Sequence, residues 1–149
     1  MMTRTLLLLT LALSFLTGCP PEGEGLADLT FDPPVDDRGN AVVDLGDVVV
    51  GTNPPPSATI IVTNNTDEEI SVGVDCDTLA GTPFNISCPE SLTIPPEGSE
   101  DASGSADNSR PIGGALLVGP NDVGSVTASI FFDHDNRVYA FTLLANVTQ

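Results

Sequence analysis

The stretch from Ser125 to Val147, SVTASIFFDHDNRVYAFTLLANV, decides the fold class. Val126, Ala128, Ile130 and Phe132 fall at every second position, and so do Tyr139, Phe141, Leu143, Ala145 and Val147. Side chains alternate across a strand, so each series lines one face of a half-buried β-strand. The Asp133-His134-Asp135-Asn136 segment between them has the composition of a hairpin turn. The same pattern recurs upstream. Ala58, Ile60 and Val62 alternate before the turn Asn64-Asn65-Thr66-Asp67, and Ile70, Val72 and Val74 follow it. Ala41 to Val50 is a further β-branched run interrupted at Gly46, where a bulge or a crossing between sheets is expected. No amphipathic helix of useful length and no internal repeat is present. About seven to eight short strands separated by turn signals predict an all-β chain folded as an antiparallel β-sandwich.

Composition agrees with this. The 149 residues include 14 Gly and 13 Pro, which would interrupt helices but are tolerated at the turns and edges of sheets. Against 21 Asp and Glu stand 4 Arg and no Lys, a net charge of −17. Such a surface repels phosphate backbones and anionic lipid, so nucleic acid is excluded as a partner and the domain has no basic face for a bilayer.

The N-terminus reads as an address. After Arg4, residues Leu6 to Leu16 are almost wholly apolar. At about 1.5 Å of helical rise per residue this run would reach roughly 16 Å, half of the ~30 Å hydrocarbon core, which is the length of a signal-peptide core and too short for a span. It ends in Leu16-Thr17-Gly18-Cys19, which resembles the lipobox of bacterial lipoproteins. That resemblance implies residues 1–18 as signal peptide, diacylation of Cys19, and attachment to the cell envelope through the N-terminal lipid. The alternative is an ordinary signal peptide that leaves Cys19 as a free thiol. Residues 19–26 are then the lipidated Cys19 and a Pro/Gly/Glu tether, which at ~3.3 Å per residue keeps a domain over 27–149 within roughly 25 Å of the bilayer. No Asp follows Cys19, which under the enterobacterial sorting pattern favours the outer membrane. Removing residues 1–18 discards Arg4 and no acid, so the mature chain carries −18.

A second resemblance follows from the order Val43 to Gly51, Ile60 to Asn64, Leu92-Thr93-Ile94-Pro95-Pro96-Glu97-Gly98-Ser99, and Leu117-Val118-Gly119-Pro120 with Gly124. This order is similar to the immunoglobulin-like ASH/choice-of-anchor-D domains and their major-sperm-protein-like relatives. The resemblance implies an immunoglobulin-like sandwich and a non-catalytic interaction module, and it supplies no active-site residues. Glu100 to Gly114 depart from the pattern and read as an inserted loop over 100–114, solvent-exposed or serving specificity.

Two cysteines remain after lipidation. In an exported chain, Cys76 and Cys88 are expected to form a disulfide, and their spacing fits no zinc pattern. Asp133, Asp135 and Asn136 offer hard oxygen ligands of the kind Ca²⁺ takes, and a cation-dependent adhesin or ligand-binding lipoprotein is the alternative function they suggest. Against it, the segment lacks the Gly and distal Glu of an EF-hand, and polar hairpin tips are common. Asp36-Asp37, Asp67-Glu68-Glu69, Asp75 and Asp77 read as solvated turns and strand ends. A hydrolase would depend on His134, the one histidine, yet no G-x-S-x-G elbow presents a serine. No phosphate-binding loop is present, and a chain with no Trp and one Tyr lacks sugar platforms. The sequence therefore predicts no enzyme and no cofactor, with another envelope or surface protein as partner.

Overall fold

The computed structural model describes residues 28–149. The expected signal peptide over 1–18, lipidation at Cys19 and tether over 19–26 fall outside the described residues. Nine strands follow in order: β1 (Leu29–Asp32), β2 (Asn40–Val49), β3 (Ser57–Asn64), β4 (Ile70–Asp75), β5 (Phe84–Ile86), β6 (Ser91–Ile94), β7 (Ser109–Leu116), β8 (Gly124–His134) and β9 (Arg137–Thr148). Among the described residues the one helical element is a 3-10 turn, Asp77–Leu79. The strands form two sheets, β1-β3-β7-β5 and β2-β9-β8-β4-β6. This is the immunoglobulin-like arrangement. The first strand is shared between the sheets, its second half runs parallel to the last strand, and the remaining pairs are antiparallel.

The β8–β9 hairpin runs without register slip from Gly124 opposite Val147 to His134 opposite Arg137. Its two turn residues, Asp135 and Asn136, adopt φ of 49° and 62°, the left-handed pair that a two-residue turn matched to strand twist requires. The period-two residues all face inward. Ala128, Ile130, Phe132, Phe141, Leu143, Ala145 and Val147 are buried and meet Phe31, Ile60, Val62, Ile112 and Leu116 of the opposite sheet. With no Trp available, the Phe31 ring fills the centre. Its centroid lies 5.5 Å from Phe132, 5.3 Å from Phe141 and 4.7 Å from Tyr139, tilted contacts worth about 0.5–1.5 kcal/mol each beyond area burial.

Three expectations are corrected or resolved. The expected all-β antiparallel sandwich of about seven to eight strands is present with nine, and one pair, β2 with β9, runs parallel, because the chain crosses between sheets after Asp32 and splits its first strand in two. At Gly46, φ +67°, the chain makes a bulge and not a crossing. The register with β9 shifts between Asp44 and Asp47, and the Asp44 carboxylate accepts the Gly46 N–H at 2.8 Å. The expected loop over 100–114 is shorter, because Ser109–Leu116 is β7. Its glycines are not turn residues. A Cβ on Gly113 would lie 2.7 Å from the Ala58 carbonyl oxygen, and one on Gly114 would run into the Asn85 carbonyl. They let β3 and β5 close on β7 from both sides. Pro111 is tolerated beyond the reach of β5, which pairs only with residues 114–116.

Asn64 is fully buried and is the one buried polar residue among those described. Its Nδ2 shares two hydrogens among three carbonyls, Glu68 at 2.8 Å, Ile94 at 3.1 Å and Pro95 at 2.9 Å. Its Oδ1 accepts from the Thr66 N–H and hydroxyl, both at 2.8 Å. Asn64 and Asn108 exchange reciprocal bonds, backbone N–H to carbonyl and side-chain Nδ2 to carbonyl, both at 2.9 Å. One amide thus joins the end of β3, the 65–68 turn and the end of β6, and the same residue's backbone holds the approach to β7. Asn64→Ala would strand buried carbonyls at about 1–3 kcal/mol apiece where water cannot reach them. We expect it to lower unfolding free energy by about 3 kcal/mol in urea titration. A loss below about 1 kcal/mol would show that water replaces the amide.

Candidate functional site

The strand directions sort the chemistry to two ends. One end gathers Asp28, the 65–69 turn, the β8–β9 turn, the 36–39 turn and the 95–108 segment, and β1 enters there. Here lies a concavity of about 520 Å³ lined by Asp28, Asp67, Glu68, Glu69, Asp133, His134 and Asp135. Some nearby carboxylates serve as turn staples. The Asn40 N–H beside Asp36, with Arg38 N–H assisting, holds that carboxyl below its ordinary range. The Ser103 hydroxyl, followed by the Ser105 and Ser103 N–H groups, does the same for Asp101. Hydrogen bonds to the charged form favour ionisation.

The structure brings Asp133, His134 and Asp135 into this concavity and leaves Asn136 out of its lining. Asp135 and Asn136 spend their backbone on the turn. Among the described residues no three His, Cys, Asp or Glu side chains stand where they could hold a metal ion. Of the weak candidates Asp133, Asp135 and Asn136, the first two line the concavity together and Asn136 does not. His134 is pinned, its Nδ1 3.2 Å from the Ser71 carbonyl and its Nε2 3.6 Å from the Asp135 carboxylate. Its first neighbour is a backbone acceptor rather than a hydroxyl that it could activate.

Sequence reasoning passed over the basic residues. Arg110 pairs with Asp107 at 2.7 Å. Arg38 and Arg137 line a neighbouring cleft of about 460 Å³ with Val35 and Tyr139, where Asp36 and Asp37 balance their charge. The signal was their scarcity: the described residues hold three Arg, and two line one cleft.

The opposite end is nearly free of charge. Gly51, Thr52, Pro55 and Pro56 face Leu116, Leu117 and Val118 across a cleft of about 390 Å³, and Val49, Leu117 and Val123 are exposed nearby. The 117–123 loop holds one acid, Asp122, whose carboxylate accepts the Gly119 N–H at 2.7 Å.

Between the ends, Cys76 and Cys88 form the expected disulfide, with Cα atoms 6.4 Å apart. It ties the end of β4 to the chain leaving β5, and so one sheet to the other. In the chain-entropy account a loop of this size contributes about 3 kcal/mol.

No protein-family model and no curated protein sequence matches the chain. Solved structures similar to it include the CupB2 chaperone of Pseudomonas aeruginosa, at 14% identity and TM-score 0.44, covering 69% of this chain and 54% of the chaperone. WR4, an MSP family member of C. elegans, is 13% identical with TM-score 0.42, covering 79% of this chain and 97% of WR4. The YadV chaperone is 10% identical with TM-score 0.43, covering 82% of this chain and 53% of its own. The chain thus spans about half the length of the two chaperones. At these identities the likeness concerns the fold alone.

The scattered carboxylates predict a diffuse cation atmosphere. At matched ionic strength, millimolar Ca²⁺ and Mg²⁺ are expected to move the unfolding temperature alike in scanning calorimetry, and EDTA to reverse nothing beyond that. A rise of several degrees specific to Ca²⁺ would restore a coordinating site.

Proposed function

We propose that this protein is a lipid-anchored component of a bacterial envelope, held through Cys19, whose immunoglobulin-like sandwich is a non-catalytic interaction module. The observation that carries the reading is the Cys76–Cys88 disulfide. Structural disulfides belong to oxidising compartments, where an exported chain with a lipobox would reside. Two acyl chains at about 0.8 kcal/mol per buried CH₂ hold a protein that has no membrane-binding surface of its own.

The polarity of the sandwich supports the same arrangement. The tether leads into β1 at the acidic end, beside Asp28, Asp67, Glu68 and Glu69. An anionic bilayer repels that end, so the domain stands off the surface and its uncharged end faces away. Partner contact is assigned to that distal half, and the envelope's outer membrane is the location the residue after Cys19 favours.

A Cys19→Ala variant is expected to move from the membrane fraction to the soluble fraction, with its unfolding temperature unchanged. Persistent membrane association after a carbonate wash would overturn the anchor, and mass spectrometry of the membrane-bound wild type should find acylated Cys19.

A further inference from the structure

β8 is flanked by β9 along its whole length but by β4 over three residues only, Phe131 to Asp133, because β4 ends at Asp75 opposite Phe131. In an antiparallel pair, backbone groups of alternate residues point toward and away from the partner strand. The two-residue turn makes His134 and Arg137 a bonded pair. It follows that Ser125, Thr127, Ser129, Phe131 and Asp133 direct their N–H and C=O groups away from β9. Phe131 and Asp133 face β4. Ser129 meets a substitute: the Thr78 hydroxyl donates to its carbonyl at 2.6 Å and accepts its N–H at 2.7 Å, so the 3-10 turn fills one position of an absent strand. Beyond it, Ser125 and Thr127 are exposed, and among the described residues nothing pairs with their backbone.

The outermost strands of both sheets are guarded, and the start of β3, which β1 leaves unpaired from Ser57 to Ile60, follows Pro54-Pro55-Pro56. β2 carries Asp44 and Asp47 about its bulge; β1 ends in Asp32-Pro33; β5 is three residues long and β6 four, the latter followed by Pro95-Pro96. Such devices prevent unwanted pairing. The β8 gap has none of them, for Val123 to Phe132 is free of charge in a chain of −17. Asp122 precedes it in the chain, and Asp77 adjoins the Thr78 cap at its other end.

We propose that β8 is a strand-addition site: an extended segment of a partner protein, uncharged where it pairs and carrying Lys or Arg at its ends, adds along Ser125–Thr127 in the place where β4 would continue. Backbone bonds to Ser125 and Thr127 supply the affinity, and the charge that surrounds the gap selects basic flanks and rejects acidic ones. A second copy of this chain is a poor occupant, since two bodies of like charge would have to meet. The proposal deepens the interaction-module reading and does not depend on the lipid; persistent membrane association of Cys19→Ala, which would overturn the anchor, would leave it untouched.

The test uses the full chain in detergent and two synthetic peptides, KTVTVTK and ETVTVTE, followed by amide NMR. The Lys-flanked peptide is expected to shift the Ser125 and Thr127 amides and slow their hydrogen exchange, and to bind at least about tenfold more tightly than the Glu-flanked one. Thr127→Pro removes an N–H that the fold does not use and should weaken binding roughly tenfold, the factor that one or two lost backbone bonds represent. If that variant lowers stability, the exchange measurement on the unaltered chain decides. Absence of slowing at Ser125 and Thr127 at roughly millimolar peptide, shifts confined to β2, or equal binding of both peptides would overturn the assignment.

Discussion

The amide of Asn64 is the constraint on which one end of this sandwich rests. A strand leaving a core must turn, and the turn, the end of the neighbouring strand and the entry to β7 all present carbonyls that need donors. A water-filled end would satisfy them loosely. Asn64 satisfies them from within, because a primary amide supplies two donor hydrogens and an acceptor oxygen on a short side chain. A hydroxyl has too few donors and a carboxylate has none. The Asn65 N–H then donates to the Asp28 carbonyl at 2.9 Å, so the same corner fixes where β1 begins.

This arrangement explains how acidity can crowd one end without unfolding it. The carboxylates of Asp67, Glu68 and Glu69 sit on a turn whose backbone is already fixed, so their mutual repulsion acts on side chains free to spread into solvent. Asp36 and Asp101 go further and bind turn N–H groups, converting charge into local order. Repulsion is thereby confined to the surface, while the core is held by Phe31 and the aliphatic residues around it.

What was legible in the sequence was whatever repeats. Two long series of period two placed β8 and β9 and their turn, and shorter ones placed β3 and β4, since alternation is imposed by the pleat itself. Parity and compartment pointed to Cys76 and Cys88. What escaped were features defined by a neighbour. Gly113 and Gly114 look like loop residues because their reason lies in the backbones of β3 and β5. Asn64 carries the same turn propensity whether buried or exposed, and only the carbonyls of Glu68, Ile94 and Pro95, the farthest 31 residues on, reveal which. Asp133 and Asp135, two apart in sequence, do share one concavity, but Asn136 stays outside it, since the turn takes up its backbone.

The short β4 and the disulfide belong to one arrangement. Ending β4 at Asp75 frees the chain to cross to the other sheet through the 3-10 turn, and the crossing would be loose without a tie. Cys76 starts the turn and Cys88 closes it, so Thr78 is held in position to cap Ser129. A longer β4 would have covered β8 with a ladder and left no segment to make the crossing. The fold instead covers Ser129 with a hydroxyl and leaves the outward backbone of Ser125 and Thr127 bare, in a strand interval that has no charge to guard it. An edge of that kind persists in a strongly acidic sandwich because the net charge already keeps identical molecules apart, which relieves the edge itself of that task.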